Sequence, residues 1–375
     1  MAQTYDICIR GAGIVGRTLA LHLAAKRLRV ALVAAPTTGN AHEPDVRAYA
    51  LNQPSRALLE AIRCWPTDDS ATPVLHMAVE ADAQAQVHFD AAEQAVDALN
   101  WIVDVPVLEQ LLAQAVQFQP QITVVDTPQA ATLTVVCEGR ASATREEFGV
   151  EFEASRYAQW AVAARVESEL PHGQTARQWF SEGEITALLP LGGPQGNLHA
   201  LVWSVPPERA QTLLATTDME FTDALQTATR MAVGSLRLCS ARASWPLQHA
   251  VARRWAGTAQ IAGAPRAWVL AGDAAHNVHP LAGQGLNLGL GDVAELVKVL
   301  DGRGYWRQVD DMRLLRQYER ARKAEFALVG GSGDSLQQLF AHPHTLVQSV
   351  RSWGMRGFDS LQPVKRWVAR RAMGL

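Results

Sequence analysis

Asp273 follows a strand-like run, Ala267 to Ala271, and heads a loop rich in glycine and proline that opens an apolar helix near Gly285. A carboxylate at a strand end accepts hydrogen bonds from sugar hydroxyls. Gly283 and Gly285 let backbone N–H groups approach a flat ligand at a helix N-terminus. Gly11-Ala-Gly-Ile-Val-Gly16 lies at the other end of the chain. Glycines at that spacing allow a tight turn and bring a pyrophosphate onto a helix N-terminus, so the two segments together imply one long ligand gripped twice.

The remaining reactive side chains form no such constellation. There is no Ser-His-Asp or paired-carboxylate pattern. His276 and His279 are spaced as a metal pair but lack the third and fourth ligands that zinc needs, so no metal is expected and both read as packing or ligand-side residues. Cys8, Cys64, Cys137 and Cys239 have no CxxC spacing and read as reduced, structural thiols.

The elements that must position these residues are legible from periodicity. Tyr5 to Ile9 reads as a buried parallel strand, Ile14 to Ala25 as a helix and Arg29 to Ala34 as a second strand. This βαβ context makes the glycine turn a dinucleotide fingerprint, although the second strand ends Leu32-Val-Ala-Ala-Pro36, where the fingerprint has an acid for the ribose hydroxyls. Thr132 to Val136 is a further strand. Ala187 to Pro190, Leu198 to Val205 and Ser244 to His249 read as strands of a separate sheet, while Thr216 to Gly234 and the chain from Val309 read as helical.

A length of 375 residues suggests two domains, and the absence of a linker or repeat suggests that they interleave. The net charge of −3 offers no field for nucleic acid. No apolar run reaches transmembrane length and the N-terminus lacks a signal-peptide pattern, so a cytoplasmic location is expected. Near the C-terminus Arg351, Arg356, Lys365, Arg366, Arg370 and Arg371 interleave with Trp353, Phe358 and Trp367 around the single acid Asp359. That segment suits peripheral contact with the inner face of an anionic membrane, and equally suits a solvated helix face.

On these residues the chain resembles the class A flavoprotein aromatic hydroxylases, and within them the ubiquinone-biosynthesis hydroxylase family. The Gly272-Asp-Ala-Ala-His276 and His279-Pro-Leu-Ala-Gly-Gln-Gly-Leu-Asn-Leu-Gly289 stretches carry the resemblance most specifically. Asp45-Val-Arg47 through Ser55-Arg56, Leu99 to Asp104, Gln174-Thr-Ala176, Trp179-Phe180, Leu188-Leu-Pro-Leu191 and Arg370-Arg-Ala-Met-Gly374 extend it over nearly the whole chain. The resemblance implies an α/β fold in three parts. A discontinuous Rossmann-like FAD-binding domain takes 1–75, 100–155 and 250–305, a mixed-sheet substrate domain takes 76–99 and 156–249, and a helical region takes 306–375.

It further implies FAD held by Gly11, Gly13 and Gly16, by Arg47, by Glu138 and Gly139, by Gly272 and Asp273, and by Pro280, Gly283, Gln284, Gly285 and Asn287. NAD(P)H would be the reductant and a polyprenylated phenol the substrate. No side chain would be catalytic in its own right, the oxygen passing to the ring from a flavin C4a-hydroperoxide.

Three departures stand out. Ala34 and Ala35 replace the ribose acid, Glu138-Gly139-Arg-Ala-Ser142 stands where the family reads Asp-Gly, and Val105-Pro106 replaces an Asn-Arg pair. They leave open a non-catalytic member that serves as a binding or scaffold protein in a quinone-synthesis assembly. A flavin halogenase would carry a Trp-x-Trp-x-Ile-Pro segment, which is missing, and a plain NAD dehydrogenase would leave the Gly272 block unexplained.

Overall fold

The computed structural model describes residues 5–34, 45–81, 86–261, 263–278 and 284–341, with the side chains of the last helix described through Leu328. Ala35, His279, Pro280, Gly283 and the basic segment from Arg351 onward lie outside the described residues. The chain opens with β1 (Tyr5–Arg10), α1 (Ile14–Ala25), β2 (Val30–Val33), β3 (Ala48–Leu51), α2 (Gln53–Ala61), β4 (Ala71–Val74), β5 (His76–Glu80) and β6 (Gln86–Asp90). It continues with β7 (Asn100–Asp104), α3 (Val105–Gln117), β8 (Ile122–Val125), β9 (Ala131–Val136), α4 (Ala143–Glu147) and β10 (Phe152–Ser168). Then come β11 (Thr175–Ser181), β12 (Glu184–Pro190), β13 (Leu198–Val205), α5 (Pro207–Ala215), α6 (Asp218–Ala228), β14 (Leu236–Leu238) and β15 (Ala243–Ala252). The last elements are β16 (Ala256–Ile261), β17 (Ala264–Leu270), β18 (His276–Asn277), α7 (Gln284–Asp301) and α8 (Met312–Ala341).

One sheet runs β16-β17-β9-β1-β2-β8 and is parallel except for β16 at its edge. Its central strands are apolar on both faces, as a parallel sheet covered on both sides requires: all four residues of β2 are buried, and so are Ile7, Cys8 and Ile9. The second sheet is larger and mainly antiparallel, in the order β18-β15-β10-β13-β12-β11-β5-β6 with β14 on β10. Its strands alternate. Val162, Ala164, Leu201, Trp203 and Val205 pack with Phe221 and Leu225 of α6, which leaves Ala163, Ala200 and Val202 on the opposite face.

A three-stranded sheet, β3-β7-β4, joins the two. Leu51, Trp101 and Val103 belong to the core of the parallel sheet, whereas Ala50, Ile102 and Val74 pack with Ala176 and Ala200 of the large one. Arg165 on β10 fastens this junction by donating to both carboxylate oxygens of Asp104 at 3.0 and 2.8 Å.

α1 has the bounds that the periodicity gives, β1 runs one residue further to Arg10, and β2 is one residue shorter at each end, Val30–Val33. Elsewhere the helices are shorter than expected. Thr217 starts α6 with a reciprocal capping box, but the helix stops at Ala228 because Arg230, Met231 and Gly234 take positive φ. α8 starts at Met312 rather than Val309, since the Asp311 side chain accepts from the Arg313 N–H and so marks the entry. The 17-residue β10, which links α4 to the large sheet, has too many polar residues in its first half to read as one strand.

Candidate cofactor and active site

The three glycines of the first turn do different physical work. Gly11 has φ +113°, and a Cβ there would lie 2.3 Å from the Cys137 carbonyl oxygen; a Cβ at Gly16 would lie 1.9 Å from that of Gly11. Both are fixed by the close packing of α1 on the ends of β1 and β9. A Cβ at Gly13 would meet nothing within 4 Å, and Gly13 lines a cavity of about 600 Å³. It is also the N-cap of α1, without a side-chain cap and without an acid in the first turn. The N–H groups of that turn therefore have no protein side chain to satisfy them, and an anion at the cavity edge would.

Beside it on the same cavity, β17 ends in the Gly272–Asp273 turn, which packs against α1: a Cβ at Gly272 would lie 3.3 Å from Val15 Cγ2. Gly272 has φ +62° and its N–H donates to Asp292 at 2.8 Å. Asp273 opens onto the cavity, so it is solvent-accessible there while protein encloses it elsewhere. That enclosure pushes its carboxyl above the usual range, against the opposing pull of His276, Arg140 and Arg47. Its carboxylate makes no hydrogen bond among the described residues. An accessible, unpartnered acceptor of this kind suits a hydroxyl-rich ligand.

Arg47 also lines the cavity, clamped by Asp45 (2.6 Å) and 3.9 Å from Glu109, and these neighbours hold it cationic. Gly139, with φ +82°, and Gln284 and Gly285 at the start of α7 complete this end.

Two residues expected at the cofactor are placed differently. Glu138 is not among the lining residues: its oxygens accept from Ser142 Oγ (2.8 Å), the Thr144 N–H (3.0 Å) and Thr144 Oγ1, so the longer acid organises α4. Asn287 is likewise not among the lining residues. It accepts from the Asn52 N–H (3.0 Å) and Ser55 Oγ (2.8 Å) and donates to the Ala50 carbonyl (2.8 Å), which staples α7 to β3 and α2. At the other departures, Ala34 follows β2 without an acceptor side chain, and Asp104 beside Val105-Pro106 turns to Arg165.

The cavity continues onto the face of the large sheet. Ala163, Val202, Ala187 and Gln178 form one cross-strand row, and Ala200, Leu189, Ala176 and Met77 form the next. Val74, Leu99 and Ile102 of the small sheet and its approaches wall it opposite. The alanines leave room for a flat ring, and Gln178 and Ser204 are polar groups on this apolar floor.

Several residues at this site carry a signal that sequence reasoning passed over. Asp292 is an acid within an apolar helix, and Tyr49 and Arg140 flank Arg47 and Gly139. No group of three or more potential metal ligands occurs among the described residues.

An uncapped helix N-terminus, a cavity-facing acid and an apolar chamber in one continuous space define a nucleotide-cofactor oxidoreductase of the α/β class. More specifically, the chain belongs to the FAD binding domain family, which matches residues 126–329. It is similar to the 3-demethoxyubiquinol 3-hydroxylase of Escherichia coli, with 29% identity covering 100% of this chain and 99% of that protein. It is likewise similar to the ubiquinone hydroxylase UbiL of Rhodospirillum rubrum, at 28% identity over 98% and 89% of the two chains. Among solved structures it superposes on p-nitrophenol 4-monooxygenase PnpA of Pseudomonas putida with a TM-score of 0.75, at 16% identity and 100% and 99% coverage. The probable FAD-dependent monooxygenase pqsL of Pseudomonas aeruginosa gives 0.72, at 20% identity and 95% and 100% coverage. At such identities the two structures establish the fold, a Rossmann-like FAD domain carrying a mixed sheet.

Proposed function

We propose that the chain is an FAD-dependent, NAD(P)H-driven aromatic hydroxylase that acts on the ring of a polyprenylated phenol in ubiquinone biosynthesis. The observation that carries this reading is the single cavity running from Gly13 and Asp273 to the alanine-floored face of the large sheet. The activities of the two hydroxylase relatives, matched over nearly their whole length, support the substrate class. When bound, FAD supplies the redox and oxygen chemistry that no side chain here provides.

The chain's own residues bind, orient and exclude water. The N–H groups behind Gly13 would hold the pyrophosphate, Asp273 would accept from a sugar or ribityl hydroxyl, and Arg47 and Gly139 would lie against the same cofactor. Gln178 and Ser204 orient the phenol by hydrogen bonding, while the surrounding Ala, Val and Leu side chains keep the reacting ring out of water. The uncapped α1 and the unpartnered Asp273 favour the enzyme over a scaffold that has lost its cofactor, because both are arranged for a ligand. The test is incubation of the protein with FAD, NAD(P)H, a short-chain prenyl phenol and isotopically labelled dioxygen. One labelled oxygen on the ring supports the reading, and NAD(P)H consumption that yields only hydrogen peroxide refutes it.

A further inference from the structure

The turn that presents Asp273 is closed by one buried side chain. Asp292, in the third turn of α7, has no exposed surface, and its Oδ2 accepts from both the Gly272 N–H (2.8 Å) and His276 Nε2 (2.7 Å). Those two donors are the ends of the Gly272–His276 turn. Its Oδ1 accepts from Arg322 Nε of α8 at 2.7 Å, and Arg322 Nη2 donates to the Leu288 carbonyl at 3.0 Å.

Glycines make this approach sterically feasible. A Cβ at Gly289 would lie 2.9 Å from Val15 Cγ2 and 3.4 Å from Gly272 Cα, and one at Gly291 would lie 2.8 Å from Arg322 Nη2. The helix is thus shaved on one side to admit Val15 of α1, with the turn in contact beside it, and on another to admit the arginine. His276 is itself held flat on Trp255, with ring centroids 4.8 Å apart. Removing a carboxylate from water is costly unless donors surround it, and here three do. Burial raises its pKa, but His276 and Arg322 outweigh that and keep it ionised.

We propose that Asp292 is a positioning residue for the cofactor, clasping both ends of the Gly272–His276 turn so that Asp273 stands at a fixed place in the cavity. The proposal rests on the FAD reading above and deepens it. It also makes α8 part of the cofactor platform, since Arg322 balances the clasp and Tyr318 Oη donates to the Leu270 carbonyl at 2.8 Å, two residues before the turn.

The test compares Asp292→Asn and His276→Phe with Leu296→Ala, which removes a fully buried side chain of the same helix without touching the turn. His276→Phe preserves the aromatic stack and loses only one donor, so it carries the test should Asp292→Asn fail to fold. FAD affinity and the visible circular dichroism of bound flavin are read on each full-length protein, alongside the melting temperature. The clasp predicts FAD binding weakened at least about tenfold and an altered flavin dichroism in the turn variants. Leu296→Ala should melt lower yet keep wild-type affinity and dichroism. Turn variants that match wild type in both, or a Leu296→Ala protein that loses FAD equally, overturn the proposal alone. A wild-type protein that takes up no FAD overturns both this proposal and the reading beneath it.

Discussion

Asp273→Ala should separate cofactor binding from folding, because the two effects have opposite signs. The wild-type carboxylate makes no hydrogen bond among the described residues, and its enclosure raises its folded pKa. An acid whose folded pKa is raised adds stability only while protonated. That contribution is present below the unfolded pKa and disappears as pH rises through the folded one, so at neutral pH the ionised group is a burden on the empty protein. Removing it should leave the melting temperature of the FAD-free protein unchanged or higher. Binding should move the other way. Loss of a charged acceptor for a ligand hydroxyl costs about 1.5–3 kcal/mol, which corresponds to roughly 10- to 100-fold weaker FAD affinity at about 1.4 kcal/mol per decade. Thermal melts with and without excess FAD measure both quantities, since the stabilisation by ligand follows its concentration relative to Kd. A variant that melts well below wild type when FAD-free, yet gains as much from FAD, would refute the reasoning.

Three further outcomes are expected. Ala34→Glu restores an acceptor just after β2 and should tighten FAD by about 1 kcal/mol, measured by titration; equal or weaker affinity would show that other groups hold the ribose. Ala187→Phe projects a ring from the middle of the apolar floor and should raise KM for the phenol while leaving FAD affinity unchanged, in steady-state and binding assays respectively. His199 is fully buried against Ser168, and burial lowers its pKa from 6.5 to about 3. Its neutral form therefore stabilises the fold above pH 6.5 and that stability is lost as pH falls toward 3, by up to about 1.4 kcal/mol per unit; denaturant titrations across that range should show a shallower slope in His199→Gln.

The sequence made the nucleotide end legible because its constraints are local. Gly11, Gly13 and Gly16 sit in one turn between a strand and a helix whose periodicities are clear, and Asp273 closely follows the unbroken apolar run Ala267 to Ala271 that ends β17. The apolar chamber was not legible in the same way. Its floor is assembled from single alternate residues of β10, β11, β12 and β13, and alanines at such positions look like any half-buried strand until the register brings Ala163, Ala187 and Ala200 together. Glu138 and Asn287 show the converse. Their positions in the motifs pointed at the cofactor, but Glu138 is taken up by donors four and six residues further along the chain at the start of α4, and Asn287 by donors of the β3–α2 segment that only the fold brings to it. Asp292 was passed over because its partners come from both sides, Gly272 and His276 from the preceding turn and Arg322 from thirty residues further on.

The central claim, that one cavity brings a flavin beside a prenylated phenol, is tested most directly by the visible spectrum of the FAD-loaded protein titrated with a short-chain prenyl phenol. The account predicts one FAD per chain, a saturable perturbation of the flavin bands by the phenol, and loss of that perturbation in Ala187→Phe with FAD still bound. A protein that takes up no FAD, or flavin bands indifferent to the phenol at every concentration, would contradict it.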